Sequence, residues 1–176
     1  MSDGAGSIAS EGGEMDRDRD AAGRPRNARP RDGLGRPLPR SADTGTERVP
    51  DDLEIVPAEA TALGASLLAE GRPFHAHEVF EAAWKSASGA DREFWRGLAQ
   101  VAVGLTHARR GNASGAVTLL RRGAEAVRDY GGAADDPAGI DAVFVAEAAE
   151  ALAGRIERDG LAAVPQADLL LALRPG

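Results

Sequence analysis

Four polar residues in the middle of the chain have side chains and spacings that suit binding or catalysis. His77 and Glu81 lie four residues apart in PFHAHEVFEAAWKSA, and Gln100 and His107 lie seven apart in the next helical segment. Residues at these spacings share one face of a helix. A histidine and a carboxylate one turn apart offer two ligands to a divalent metal, and His107 could offer a third. Gln100 could orient a ligand or a bound water.

A metal at these positions would predict hydrolytic chemistry. Zinc, manganese or iron would turn a bound water into a nucleophile near neutral pH, and Glu78 could serve as its base. The run HEVFE is also similar to the HExxH helix of zinc proteases, with glutamate in place of the second histidine. No other feature of a zinc protease accompanies it. The pattern therefore allows a metal-dependent hydrolase or a small-ligand-binding protein, and it names no substrate.

The same residues also fit two interpretations without catalysis. They could form a buried polar network that holds two helices in register, because Phe74, Phe80 and Trp84 share the face of Glu81 and predict that it points inward. Burying a carboxylate without a partner would lower the stability by roughly several kcal/mol, so a buried Glu81 would have to be paired. Alternatively the protein is a non-catalytic and possibly dimeric helical adaptor. Trp84 then serves packing, and Asn112 caps a helix rather than binding a ligand.

Prolines and glycines divide the chain after residue 50 into about five helices. The expected bounds are Pro57 to Glu70, Pro73 to about Ala87, a helix capped by Asp91 and ending at Gly111, one capped by Asn112 and ending near Asp129, and Asp141 to Arg158. A short helical turn is expected after Pro165. No segment alternates between apolar and polar residues as a half-buried strand does. Short loops predict antiparallel neighbours, so residues 51–176 are expected to form one small all-α helical bundle.

Two glycines on the third helix predict a close contact. Gly97 and Gly104 bracket Gln100 on one stripe, although glycine in a helix costs about 1 kcal/mol relative to alanine. Such glycines indicate that another helix or a ligand approaches closely. The simplest arrangement is an antiparallel hairpin in which this stripe faces His77 and Glu81 on the second helix.

Residues 1–50 differ from the rest in composition and are expected to form a disordered tail. They contain no aromatic residue and few aliphatic ones, too few to offset the roughly 1–2 kcal/mol per residue that ordering a backbone costs. The segment 24–40 is rich in arginine and proline. It is expected to be a solvated tail, although it could bind an acidic partner or nucleic acid. Met15 is an alternative start to Met1.

Charge and composition exclude several classes of protein. The net charge is −7, and the acidic excess falls on residues 51–176, which is the opposite of a nucleic-acid-binding surface. No segment is long and apolar enough for a membrane helix, and the N-terminus does not resemble a secretory signal. The absence of cysteine excludes disulfides and thiolate metal sites and fits a cytoplasmic protein.

Three short motifs resemble a known family. The segments HAHEVFEAAW and GLAQVAVGLTHARRGNASGAVTLL are similar to bacterial proteins grouped as domain of unknown function 309. The motifs are His-Glu-x-x-Glu-x-x-Trp, Gly-Leu-x-Gln and a His leading to Arg-Gly-Asn-x-x-Gly-Ala. They fall on His77, Glu78, Glu81, Trp84, Gly97, Leu98, Gln100, His107, Arg110, Gly111, Asn112, Gly115 and Ala116. The resemblance covers about residues 55–155 and implies a helical-bundle fold with no established activity. His75 and the N-terminal tail lie outside the family pattern.

Overall fold

The computed structural model describes residues 30–39, 41–42, 55–130 and 138–174. Five α-helices lie within these ranges: α1 (Pro57–Ala69), α2 (Pro73–Ser86), α3 (Gly89–Arg109), α4 (Ala113–Tyr130) and α5 (Ala142–Asp159). Two short 3₁₀ helices, Leu161–Ala163 and Gln166–Leu169, follow α5. The described ranges contain no β-strand, so the predicted all-α bundle is confirmed. None of the helices in them is long and apolar enough to cross a bilayer.

The turns between α1 and α2 and between α3 and α4 are built in the same way. Gly71 and Gly111 have φ angles of 70° and 83°, a region that glycine enters without strain. The residue after each glycine, Arg72 or Asn112, donates its N–H to a carbonyl in the last turn of the preceding helix, at 2.8 and 2.9 Å. This is a Schellman motif, which satisfies the free carbonyls at a helix end. Local chemistry therefore sets both turns.

The beginning of α3 differs from the expected one. The helix begins at Gly89, and Ser88 precedes it without a capping side-chain bond. Asp91, which was expected to be the cap, lies in the first turn and accepts a hydrogen bond of 3.0 Å from the Tyr130 hydroxyl. The carboxylate thus ties the start of α3 to the end of α4. Asp141, at the start of α5, does cap its helix, since it accepts the Phe144 N–H at 2.8 Å.

The central helix of the bundle is α3, which packs against both α2 and α4, while α5 packs on α4 and α1 on α2. Aromatic rings join the three central helices. Phe80 of α2 stacks on Trp95 of α3, with ring centroids 6.2 Å apart. Phe94, next to it on α3, lies 4.4 Å from the Tyr130 ring of α4. These four side chains are almost fully buried and form the centre of the core.

Glycines allow α3 and α4 to lie very close together. A Cβ atom at Gly97 would lie 2.9 Å from Val127 Cγ2, and one at Gly104 would lie 2.9 Å from Leu120 Cγ. Gly123 of α4 in turn faces the Gly97 carbonyl. The predicted close approach of a helix to this stripe is therefore confirmed. The helix that approaches is α4, however, and not α2 as the simplest arrangement predicted.

Candidate functional site

The predicted aromatic and polar face of α2 lies mostly at the edge of the core. Of that face only Phe80 is fully buried, and the side chains of His77 and Glu81 are 22% and 37% exposed. The buried face is made instead of mostly smaller residues, namely Pro73, His75, Ala76, Val79, Phe80, Ala82 and Ala83. Small side chains allow α1 and α3 to pack closely on α2, and this moves the bulky polar residues to the rim.

His77 and Glu81 do form a pair. His77 Nδ1 lies 2.8 Å from the Phe74 carbonyl oxygen, which only accepts, so this nitrogen carries the proton. The other ring nitrogen, Nε2, lies 3.4 Å from Glu81 Oε2. The second oxygen of Glu81 lies 2.9 Å from Lys85 Nζ. The main chain thus orients the ring so that Nε2 faces a carboxylate on the partly exposed surface of α2.

His107 takes part in a different set of contacts, at the start of α4. Asn112 caps α4, since its Oδ1 accepts the Gly115 N–H at 3.0 Å. The Nδ2 group of Asn112 lies 2.7 Å from His107 Nδ1. An amide NH₂ only donates, so Nδ1 of His107 accepts, and the neutral ring carries its proton on Nε2. The predicted role of Asn112 as a helix cap is confirmed, and the cap also fixes the His107 ring.

The two halves of the predicted site lie on different sides of α3. The residues of α3 that contact α2 include Trp95, which lies about 160° around the helix axis from Gly97 at 100° per residue. Gln100 and His107 are instead on the stripe that borders α4. Gln100 itself is half-buried.

The separation has a consequence for the predicted metal ligands. Within the described ranges, no hydrogen bond or ion pair joins His77 or Glu81 to Gln100 or His107. No group of three or more His, Asp or Glu side chains there is arranged to hold a metal ion. The structure therefore brings His77 to Glu81 but does not bring His107 to them as a third ligand.

Two further candidates on α2 have packing neighbours. Trp84 lies under the guanidinium of Arg92, whose Cζ is 4.5 Å from the ring centroid. Arg92 also donates to the Trp84 carbonyl oxygen at 2.8 Å, which holds the start of α3 against the end of α2. Glu78, the candidate base, is half-buried and is already engaged in an interaction.

His75 is a buried histidine that was not among the predicted site residues. It is only 4% exposed, and its Nδ1 has no hydrogen-bond partner among the described residues. Burial lowers the pKa of His75, the charge of Arg72 lowers it further, and the charge of Asp32 acts in the opposite direction. The available signal was helical spacing, because His75 lies four residues before Val79 and thus on the buried stripe.

Comparison with known proteins gives a family and no activity. Residues 62–119, which run from α1 into α4, match the model of a family described as "Domain of unknown function (DUF309)". The match covers about a third of the chain and supports assigning the protein to that family, as the sequence motifs predicted. No curated protein and no solved structure matches the chain.

Proposed function

We propose that this DUF309 protein is a non-catalytic helical interaction module that binds a second copy of itself through the outward face of α1. The observation that carries the proposal is the composition of that face. Its small residues repeat at spacings of four, three and four, at Ala58, Ala62, Ala65 and Ala69, and three of the four are exposed. Leu63, which is 42% exposed, lies about 130° around the helix from this stripe at 100° per residue. The only charged residue of α1 is Glu59.

The position of α1 in the bundle supports this proposal. Its inward face packs mainly on α2, where Gly64 admits the Phe80 ring. The outward side of this edge helix carries three exposed alanines, and its exposed polar residues are Glu59 and Ser66. A 4-3-4 repeat of small residues allows two helices to approach closely. A second copy of the chain carries the complementary face by symmetry.

Two polar residues of the motif, Asn112 and His107, support a non-catalytic role, because each has a structural partner. Asn112 caps α4 and holds the His107 ring. Arg109, which directly precedes the motif residue Arg110, donates to the Gly71 carbonyl oxygen at 2.7 Å and so joins the α3–α4 turn to the α1–α2 turn. The part of the motif at the α3–α4 turn thus has a structural explanation that needs no substrate.

Ala62→Glu tests the proposed dimer. We expect the wild-type chain to be dimeric by light scattering coupled to size-exclusion chromatography and the variant to be monomeric, because the substitution places two like charges at a close helix contact. Ala151→Glu is the matched control, since Ala151 is an exposed alanine of α5, and it should remain dimeric. A monomeric wild-type protein at the highest concentration reached would overturn the proposal.

A second candidate function is binding of a divalent cation at His77 and Glu81. One observation favours it: the bond from His77 Nδ1 to the Phe74 carbonyl leaves Nε2 pointing towards a carboxylate oxygen. Histidine ligands of metals are commonly oriented by such a bond from their other nitrogen. These two side chains would supply half of a tetrahedral site, and water or a second molecule would complete it.

Zinc titration by calorimetry tests this candidate. We expect His77→Ala to weaken Zn²⁺ affinity by roughly tenfold or more, since one of two protein ligands is lost. His107→Ala is the control, and it should leave the affinity unchanged, because His107 lies on the α4 side of α3. Equal affinity in the wild type and in His77→Ala would remove this candidate.

A further inference from the structure

Residues 30–39 form a compact loop within the segment expected to be a disordered tail; the rest of residues 1–50, apart from 41–42, lies outside the described ranges. The loop is held in shape by hydrogen bonds among its own groups. Asp32 Oδ1 accepts the N–H groups of Leu34 and Arg36 at 2.9 and 2.8 Å, and the Gly35 N–H donates to the Asp32 carbonyl at 2.8 Å. The two ends of the loop are joined by a hydrogen bond of 2.8 Å, in which the Leu38 N–H donates to the Pro30 carbonyl oxygen.

This loop packs against the end of the bundle. Gly35 is buried and lies so close to the Phe74 ring that a Cβ atom at this position would overlap the ring. Arg31 Cζ lies 5.5 Å from the centroid of the same ring. Arg110 donates to the carbonyl oxygen of Leu34. The contacts therefore join the loop to the start of α2 and to the end of α3.

The surface under the loop carries hydrogen-bond donors of arginine side chains, of which Arg72 is already paired with Glu70 at 3.0 Å. It lies where the α1–α2 and α3–α4 turns meet, with Arg72 and Arg110 beside Arg109, on a chain whose net charge is −7. The loop brings the Leu34 carbonyl oxygen to Arg110 as an acceptor. It carries two arginines, Arg31 and Arg36, and one carboxylate, Asp32, so its net charge is not opposite to that of the arginines beneath it. The hydrogen bond to Arg110 and the contact with the Phe74 ring therefore hold the loop.

We infer that this end of the bundle is a docking surface for a turn that presents a glycine to the Phe74 ring and a carbonyl oxygen to Arg110, and that residues 30–39 of the same chain occupy it. The inference does not depend on the proposed α1 dimer, because it concerns the end of the bundle at which α1 and α3 both terminate, and not the outward face of α1. A ligand in the same chain has a high effective concentration, so a few contacts suffice to hold it. Any external partner of this surface has to displace the loop first.

Two glycines of the loop give a matched pair of variants for hydrogen exchange on the full chain. Gly35 has a φ angle of 73° and touches the Phe74 ring, so Gly35→Val should prevent docking. Gly33→Ala adds a Cβ only 3.3 Å from the flexible Arg72 side chain and should be tolerated. We expect amides of residues 32–38 to exchange roughly five- to tenfold faster in Gly35→Val than in the wild type and Gly33→Ala.

Arg110→Ala separates docking from the conformation of the loop itself, because Arg110 is an exposed residue of the bundle. It should also accelerate exchange in residues 32–38 while the amides of α3 and α4 stay protected. Equal exchange in the wild type, Gly35→Val and Arg110→Ala would overturn the inference. Protection that rises with protein concentration would overturn it as well, because the loop would then dock on a second copy.

Discussion

Gly123→Ala is expected to lower the free energy of unfolding by about 3 kcal/mol, because the position has no room for a methyl group. The new Cβ would lie 2.6 Å from Val101 Cγ2 and 2.7 Å from the carbonyl oxygen of Gly97. The second of these atoms belongs to the backbone of α3, so it cannot move aside as a side chain would. The two helices must separate, and the contacts of the core between them are lost. Urea denaturation followed by tryptophan fluorescence measures the change.

Gly154→Ala on α5 is the matched control. Its Cβ would meet only the end of the flexible Arg158 side chain, at 3.1 Å. Alanine in a helix is favoured over glycine by roughly 0.5–1 kcal/mol, so this variant should be slightly more stable than the wild type. If Gly123→Ala and Gly154→Ala changed the free energy of unfolding by the same amount, the close contact between α3 and α4 would be contradicted.

Gly115→Ala is expected to lower the free energy of unfolding by about 2 kcal/mol, because it disturbs the contact that joins α3 to α4 at their turn. A Cβ atom there would overlap His107 Nδ1 and lie 2.6 Å from Asn112 Nδ2. The histidine must then turn away, and Asn112 loses one of its two hydrogen-bond partners. Thermal unfolding followed by circular dichroism gives the change in stability.

A double-mutant cycle shows whether His107 is the reason for this loss. His107→Ala alone should cost about 1 kcal/mol, since it removes one hydrogen bond to a partly exposed amide. The double variant should be less destabilised than the sum of the two single variants, because removing the ring makes room for the methyl group. Strict additivity would contradict the contact between His107 and Gly115.

These contacts explain why particular residue types stand in the motif that ends α3 and begins α4. Gly111 supplies the left-handed turn, Asn112 caps the next helix, and Gly115 leaves space for His107. The motif therefore specifies the tight turn between α3 and α4. The same turn also positions Arg109, which donates to a carbonyl of the α1–α2 turn at the same end of the bundle.

The sequence by itself determined the helices and most of their ends. Pro57 and Pro73 begin helices, Gly71 and Gly111 end them, and Asn112 caps one, because each of these effects depends on bonds within a few residues of the chain. The glycine stripe of α3 likewise predicted a close neighbour. Local chemistry of this kind is readable from one chain, and it was sufficient to give an all-α bundle.

Only the tertiary structure decided which helix covers which face. Periodicity places Gly97, Gln100 and His107 on one stripe, but it does not say whether α2 or α4 lies against it, and the answer separated His107 from His77. The burial of His75 and the docking of residues 30–39 are also decided by packing between segments distant in the chain. Such packing depends on how the side chains of several helices and loops fit together. The spacing of residues within any one helix does not predict that fit.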